Sequence, residues 1–163
     1  MFHDQHAYKP TGSTTCALAD FTYCMHSLLE SNQYVRYVLI DFSKASDIVD
    51  HAILARKLLS LQVPGFIIQW IISFLTDHTQ STKLGLSLST QLFINQSIVW
   101  GSGIGPTLFI MFAHDLKPLD TLNYLLKYAD DASLLSPENT QAELETTNVT
   151  DWARENKKPA QDC

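Results

Sequence analysis

Basic charge is scarce in this chain. Lysine and arginine number 11 against 17 aspartates and glutamates, a formal net charge of −6 over 163 residues. Affinity for nucleic acid rests on phosphate neutralisation, so this balance argues against strong autonomous binding of RNA or DNA. It leaves room for an acidic metal-binding core that works beside basic partners. Cysteine is scarce too. Cys16, Cys24 and Cys163 form no CxxC pair and no metal-like spacing with the histidines. An odd count without a signal peptide points to free thiols in a reducing compartment, and Cys16 and Cys24 read as partly buried helix residues. Long apolar runs are missing. Phe66 to Leu75 is the most apolar stretch, about half the length that spans a bilayer. Met1 to His6 has neither a charged n-region nor an apolar h-region, so it is no secretory signal. The expectation is an intracellular protein, in cytoplasm or nucleus, without membrane attachment. Repeats and low-complexity linkers are absent, so the chain reads as one domain or a piece of a larger one. The oligomeric state is not legible.

The hydrophobic content is 45%, enough for a core. Ser13 and Thr14 form an N-cap signal ahead of Ala17, Leu18, Phe21, Met25, Leu28 and Leu29 at helical spacing, predicting a helix that ends near Glu30. Tyr34 to Asp41 is β-branched and aromatic, a central strand. Asp50 caps a second helix carrying Ile53, Leu54, Leu58 and Leu61. Pro64-Gly65 breaks it, and Phe66, Ile67, Trp70, Ile71 and Phe74 mark a third. Thr79 to Ser97 reads as a hairpin. A glycine-rich loop, Gly101 to Gly105, leads to Pro106 at the first position of a buried helix running to Leu116. Asn123 to Ser136 is a second hairpin. Asn139 to Asn156 is a last helix marked by Ala142, Leu144, Val149 and Trp152. This order predicts an α+β architecture, an antiparallel sheet with helices packed on one face and the other face open.

The most informative feature is Tyr128-Ala129-Asp130-Asp131. Apolar runs flank the two acids, so strand, tight turn and strand place adjacent carboxylates at a rigid tip. Such oxygens suit Mg²⁺. A two-metal phosphoryl-transfer centre needs a further carboxylate from another segment to bridge its ions, and Asp41, ending an apolar strand, is the best candidate. On its own the DD pair marks a solvated loop tip more readily than a metal site.

Four blocks in order then resemble the reverse transcriptase domain of non-LTR (LINE-type) retrotransposons. The run from Gln5 to Thr15 is similar to Q-x-G-F-R-P-G-x-S-T. The run from Leu39 to His51 is similar to L-D-F-S-K-A-F-D-x-V-D-H. The run from Trp100 to Phe109 is similar to Q-G-S-x-L-G-P-L-L-F, and Tyr128 to Asp131 is the Y-A-D-D box. The resemblance implies a polymerase palm-like sheet over 34–163, a partial fingers segment over 1–33, and no thumb. It implies RNA-directed DNA polymerisation with two Mg²⁺ ions, on an RNA or DNA template with a primer and deoxynucleotide triphosphates. Asp41 and Asp130 would be the principal metal ligands and catalytic carboxylates, with Asp131 more peripheral. The Phe42 carbonyl would add a ligand. Lys9 would stand where the family's Arg meets the triphosphate, keeping the charge and losing the bidentate fork. Gly101 would let backbone approach the nucleotide.

The departures fall on the nucleotide pocket. Ser46 stands where the family has an aromatic gate against the ribose 2′-hydroxyl, so sugar discrimination weakens. Trp100 replaces a Gln expected to contact the nucleotide, and an indole offers one donor and no acceptor. After Asn156 the family pattern breaks. The expectation is a weak or inactive reverse transcriptase fragment. A non-catalytic scaffold that binds nucleic acid or protein, or a non-functional transposon relic, remains open.

Overall fold

The computed structural model describes residues 2–42, 47, 49–94, 96–99 and 101–156, and the backbone of 160–161. Two compact units divide the chain, one formed by residues 1–45 and 113–163, the other by 46–112.

The first unit is built on a four-stranded antiparallel sheet in the order β6-β7-β1-β8. Its strands are β1 (Val35–Phe42), β6 (Tyr124–Tyr128), β7 (Asp131–Pro137) and β8 (Ala160–Gln161). β1 pairs with β7 from Val35↔Pro137 to Ile40↔Ala132. Side chains alternate between the faces. Ile40 and Phe42 of β1 are buried, while Tyr37, Leu39 and Asp41 are exposed. The core side also receives Leu125, Leu134 and Ala153.

Helix α1 (Thr14–Ser31) starts where Ser13 Oγ accepts the Cys16 amide, the N-cap read from the sequence. Its apolar face is less covered than its periodicity predicts. Ala17 alone is buried among its residues, Leu18 and Leu29 are exposed, and Cys16 is exposed as well. Phe21 touches Tyr37, ring centroids 5.0 Å apart, so α1 meets the exposed side of β1. Helix α5 (Ala142–Glu155) departs from expectation in a different way. Leu144 is 54% exposed and Glu145 is 2% exposed. Glu145 turns inward because backbone amides of the preceding loop need an acceptor: it accepts from the amides of Leu119 and Asp120 and from Asn123 Nδ2, at 2.8–3.0 Å.

The second unit holds α2 (His51–Ser60), α3 (Gly65–Leu75) and α4 (Gly105–Phe112), with two small hairpin ladders. In these, β2 (His78–Gln80) pairs with β5 (Leu92–Ile94), and β3 (Lys83–Leu84) pairs with β4 (Ser87–Leu88) between them. Asp50 caps α2 by accepting the amides of Ala52 and Ile53. Helix α4 begins one residue before Pro106 and stops at Phe112, short of the expected Leu116. Lys57 Nζ takes the Phe112 carbonyl at 2.7 Å and lies 4.5 Å from the centre of its ring, satisfying a C-terminal carbonyl with a cation. His51, whose place in its motif suggested no role, bonds the Ser97 carbonyl at 2.9 Å and ties the start of α2 to the loop after β5. Among the described residues, no helix is long and apolar enough to cross a membrane.

Candidate active site

The carboxylate turn is a two-residue link between β6 and β7, closed by the Tyr128↔Asp131 pair. Ala129 carries φ +57. A side-chain-bearing residue in this left-handed region costs about 1–2 kcal/mol, and each hydrogen bond that enforces it returns about 0.5–1.5 kcal/mol. Gln5 supplies two such bonds. Its Oε1 accepts the Ala129 amide at 3.0 Å and its Nε2 donates to the Ala129 carbonyl at 3.2 Å. The same Oε1 accepts the Ala7 amide at 3.0 Å. Gln5 is 2% exposed.

Residues 4–6 reach the turn by running parallel to β6. The His6 amide donates to the Lys127 carbonyl at 2.9 Å, and the Lys127 amide donates to the Asp4 carbonyl at 2.6 Å. Side chains lock this edge. Lys127 Nζ lies 2.8 Å from Asp4 Oδ2, and Lys117 Nζ reaches the same oxygen at 2.7 Å. Asp20, on α1, accepts from the Tyr124 hydroxyl and lies 3.1 Å from His6 Nε2, joining helix, strand and N-terminal segment.

Register puts Asp41 beside the turn. The last β1–β7 pair is Ile40↔Ala132, so the next position on each strand carries Asp41 and Asp131. By alternation both belong to the exposed face with Leu39 and Ser133. Burial first, then the charges of Asp130 and Asp41, raise the Asp131 carboxyl above its ordinary pKa. The three predicted carboxylates therefore share one electrostatic neighbourhood. Their hard oxygens suit a divalent cation such as Mg²⁺. Among the described residues, however, no three metal-ligating side chains converge on a common point. The donor chemistry fits the ion, while a closed cage is not formed.

The remaining candidates are dispersed. Lys9 Nζ donates to the Phe2 carbonyl at 3.0 Å. Phe42 is buried, its ring 5.3 Å from that of Trp152, and Trp152 Nε1 donates to Asp115 Oδ1 at 2.9 Å. Gly101 has φ +77 and open space where a Cβ would stand, so its conformation is what calls for glycine. Gly105 instead needs glycine for room, because a Cβ there would come within 2.8 Å of the Ile98 side chain. Ser46 and Trp100 lie outside the described residues. The second unit also holds a cavity of about 560 Å³ lined by Asp47, Leu75, His78, Gln80, Gln96 and Val99 among others, and by no predicted site residue among the described ones. Sequence reasoning passed over Gln5 as a functional residue. The signal was its place at the head of a motif, but nothing local says which peptide its amide reads.

The sequence matches the family "Reverse transcriptase (RNA-dependent DNA polymerase)" over residues 1–160, and the chain belongs to that family. No curated protein matches it significantly. Among solved structures it is similar to telomerase from Candida tropicalis in complex with the TWJ fragment of telomeric RNA, with TM-score 0.71 and 13% identity over 99% of this chain and 31% of that one. Telomerase from Candida albicans in complex with the same kind of fragment gives 0.68 and 12%, over 99% and 32%. The apo telomerase of Candida tropicalis gives 0.67 and 13%, over 99% and 33%. The chain thus has the fold of about a third of those chains.

Proposed function

We propose that this chain is the palm-centred part of a LINE-type retrotransposon reverse transcriptase, with Asp41, Asp130 and Asp131 as its catalytic and metal-binding carboxylates. The observation that carries the reading is the juxtaposition of Asp41 and Asp131 at the ends of neighbouring strands, with Asp130 in the adjoining turn and each of the two other charges felt at Asp131. Four ordered sequence blocks support the LINE-type assignment. The similarity to RNA-bound telomerase supports a nucleic-acid partner.

In this reading Asp41 at the end of β1 and Asp130 in the β6–β7 turn would hold the ions, and Asp131 would stand at the edge of the set with the Phe42 carbonyl. Bound divalent cations would lower the pKa of the primer 3′-hydroxyl and stabilise the departing pyrophosphate. The protein's own task is to keep like charges together on a rigid turn until cations arrive. Activity is weak or absent in this copy. Ser46 cannot gate the sugar, and Trp100 removes the acceptor of the family's Gln. Lys9 is engaged by the Phe2 carbonyl, and its ammonium has no bidentate fork for phosphate oxygens.

The test is primer extension on oligo(rA)–oligo(dT) with Mg²⁺, beside a variant carrying Asp130→Ala and Asp131→Ala. Extension that vanishes in the variant supports the reading. No extension by wild-type protein of native circular dichroism rejects an autonomous enzyme.

A second reading, a non-catalytic scaffold that binds RNA, draws on the absence of a converging metal-ligand group among the described residues. RNA retention that falls with salt and is indifferent to chelator favours it. Binding that requires Mg²⁺ speaks against it.

A further inference from the structure

We infer that Gln5 is a positioning residue for the carboxylate turn: its side-chain amide clamps the Ala129 backbone and so fixes how Asp130 and Asp131 leave the hairpin. The functional consequence rests on the reading of that turn as catalytic. The clamp itself rests on geometry alone.

The carboxamide matches its target. A backbone residue offers one donor and one acceptor, and a glutamine side chain presents the complementary pair. Gln5 uses both on Ala129, at 3.0 and 3.2 Å, across 124 positions of sequence. Ala129 is the residue of this turn that needs enforcement, since its φ of +57 is poorly populated by residues with a Cβ. The clamp is also held in place. Its neighbours Asp4 and His6 exchange backbone hydrogen bonds with Lys127, and its own Oε1 is shared with the Ala7 amide. Burial of the amide keeps water from replacing it. A carboxylate pair on an unclamped turn would splay under its own repulsion, and cations would then have to bear the cost of reordering it.

The experiment uses the full chain and Gln5→Met, which keeps the length and removes the amide, with and without Ala129→Gly. Glycine adopts positive φ freely, so it replaces what the clamp enforces and nothing else that Gln5 does. Amide hydrogen exchange is read at Asp131, paired with Tyr128 across the hairpin, and at Val149 in α5 as a reference for the whole unit. Mn²⁺ binding is read by water-proton relaxation. Gln5→Met is expected to speed exchange at Asp131 by about tenfold relative to Val149 and to weaken Mn²⁺ binding, and Ala129→Gly is expected to recover both. If Gln5→Met alone does not fold, Gln5→Met with Ala129→Gly is expected to fold, because glycine removes the need for the clamp, and a pair that does not fold either overturns the inference. Equal acceleration at Asp131 and Val149, or no recovery by glycine, overturns the inference. Wild-type protein that binds no Mn²⁺ overturns the catalytic reading instead, and exchange then decides the clamp by itself.

Discussion

Lys127 Nζ lies 2.8 Å from Asp4 Oδ2, with the side chains 4% and 15% exposed, on the strand that leads into the carboxylate turn. The same ammonium donates to the Ala113 and Leu116 carbonyls, each at 2.9 Å. A lysine in the middle of the run Tyr124 to Tyr128 thus serves three acceptors beneath the sheet edge.

Removing one member of such a pair leaves the other buried without its counter-charge. Lys127→Met is expected to cost about 3 kcal/mol, the lower end for a broken buried pair because Lys117 still reaches Asp4. Burial raises the Asp4 carboxyl, and the charges and hydrogen bonds of Lys127 and Lys117 more than reverse this, so its pKa is lowered from the ordinary 3.8. A depressed carboxyl stabilises fully above its unfolded value, and that contribution is lost as pH falls through the folded one. Asp4→Asn is therefore expected to flatten the loss of stability below about pH 4. Urea denaturation between neutral and acidic pH checks both, and a Lys127→Met cost below about 1 kcal/mol would reject a structural ion pair.

Asp131 has the opposite sign. Burial, then Asp130 and Asp41, raise its carboxyl, so the folded state holds that proton more tightly than the unfolded chain. The resulting stability exists at low pH and is lost as pH rises through the folded value. At neutral pH the charge destabilises the fold. Asp131→Asn is expected to raise stability by up to about 1 kcal/mol, a figure limited by solvent screening of an exposed group. Millimolar Mg²⁺ is expected to raise the Tm of the wild type more than that of the variant. Equal shifts would remove Asp131 from the ion's ligands.

Local chemistry was legible where a residue acts on its own neighbourhood. Ser13 and Asp50 announced their helices because a cap bonds amides two or three residues away. The hairpin around Asp130-Asp131 was legible because two apolar runs bracket a short polar tip. Asp41 was placed beside that tip by motif order, and the register agrees. What escaped was set by distant backbone. Gln5 looks like any polar residue until Ala129 is brought to it, Glu145 interrupts an apolar helix face because a loop turns its amides inward, and the Phe112 carbonyl that ends α4 is held by Lys57 from another helix.

That lysine carries its own expectation. Lys57 is 8% exposed and its Nζ holds the Phe112 carbonyl at 2.7 Å. Lys57→Met keeps the aliphatic stem and removes the charge-assisted bond, which is worth about 1.5–3 kcal/mol. The loss is expected to be seen as faster amide exchange in α2 and α4. Unchanged exchange there would assign the end of α4 to packing alone.

Glu145 is the most exacting buried polar group in the first unit. Its Oε1 accepts from Leu119 N at 2.9 Å, Asp120 N at 2.8 Å and Asn123 Nδ2 at 2.8 Å. Asn123 in turn accepts the hydroxyls of Ser136 and Thr140 through Oδ1, so one carboxylate orients a chain of buried groups from α5 to β7. Glu145→Gln retains an oxygen that can accept from the same donors and is expected to cost about 1 kcal/mol through loss of charge assistance. Glu145→Leu restores the helix's apolar pattern but strands the donors, each unsatisfied group costing about 1–3 kcal/mol, so a total above about 3 kcal/mol is expected. Periodicity alone ranks these variants the other way, with leucine the better residue on an inward helix face. Chemical denaturation of both decides the matter, and a leucine variant at least as stable as the glutamine one would show that the loop amides find water instead.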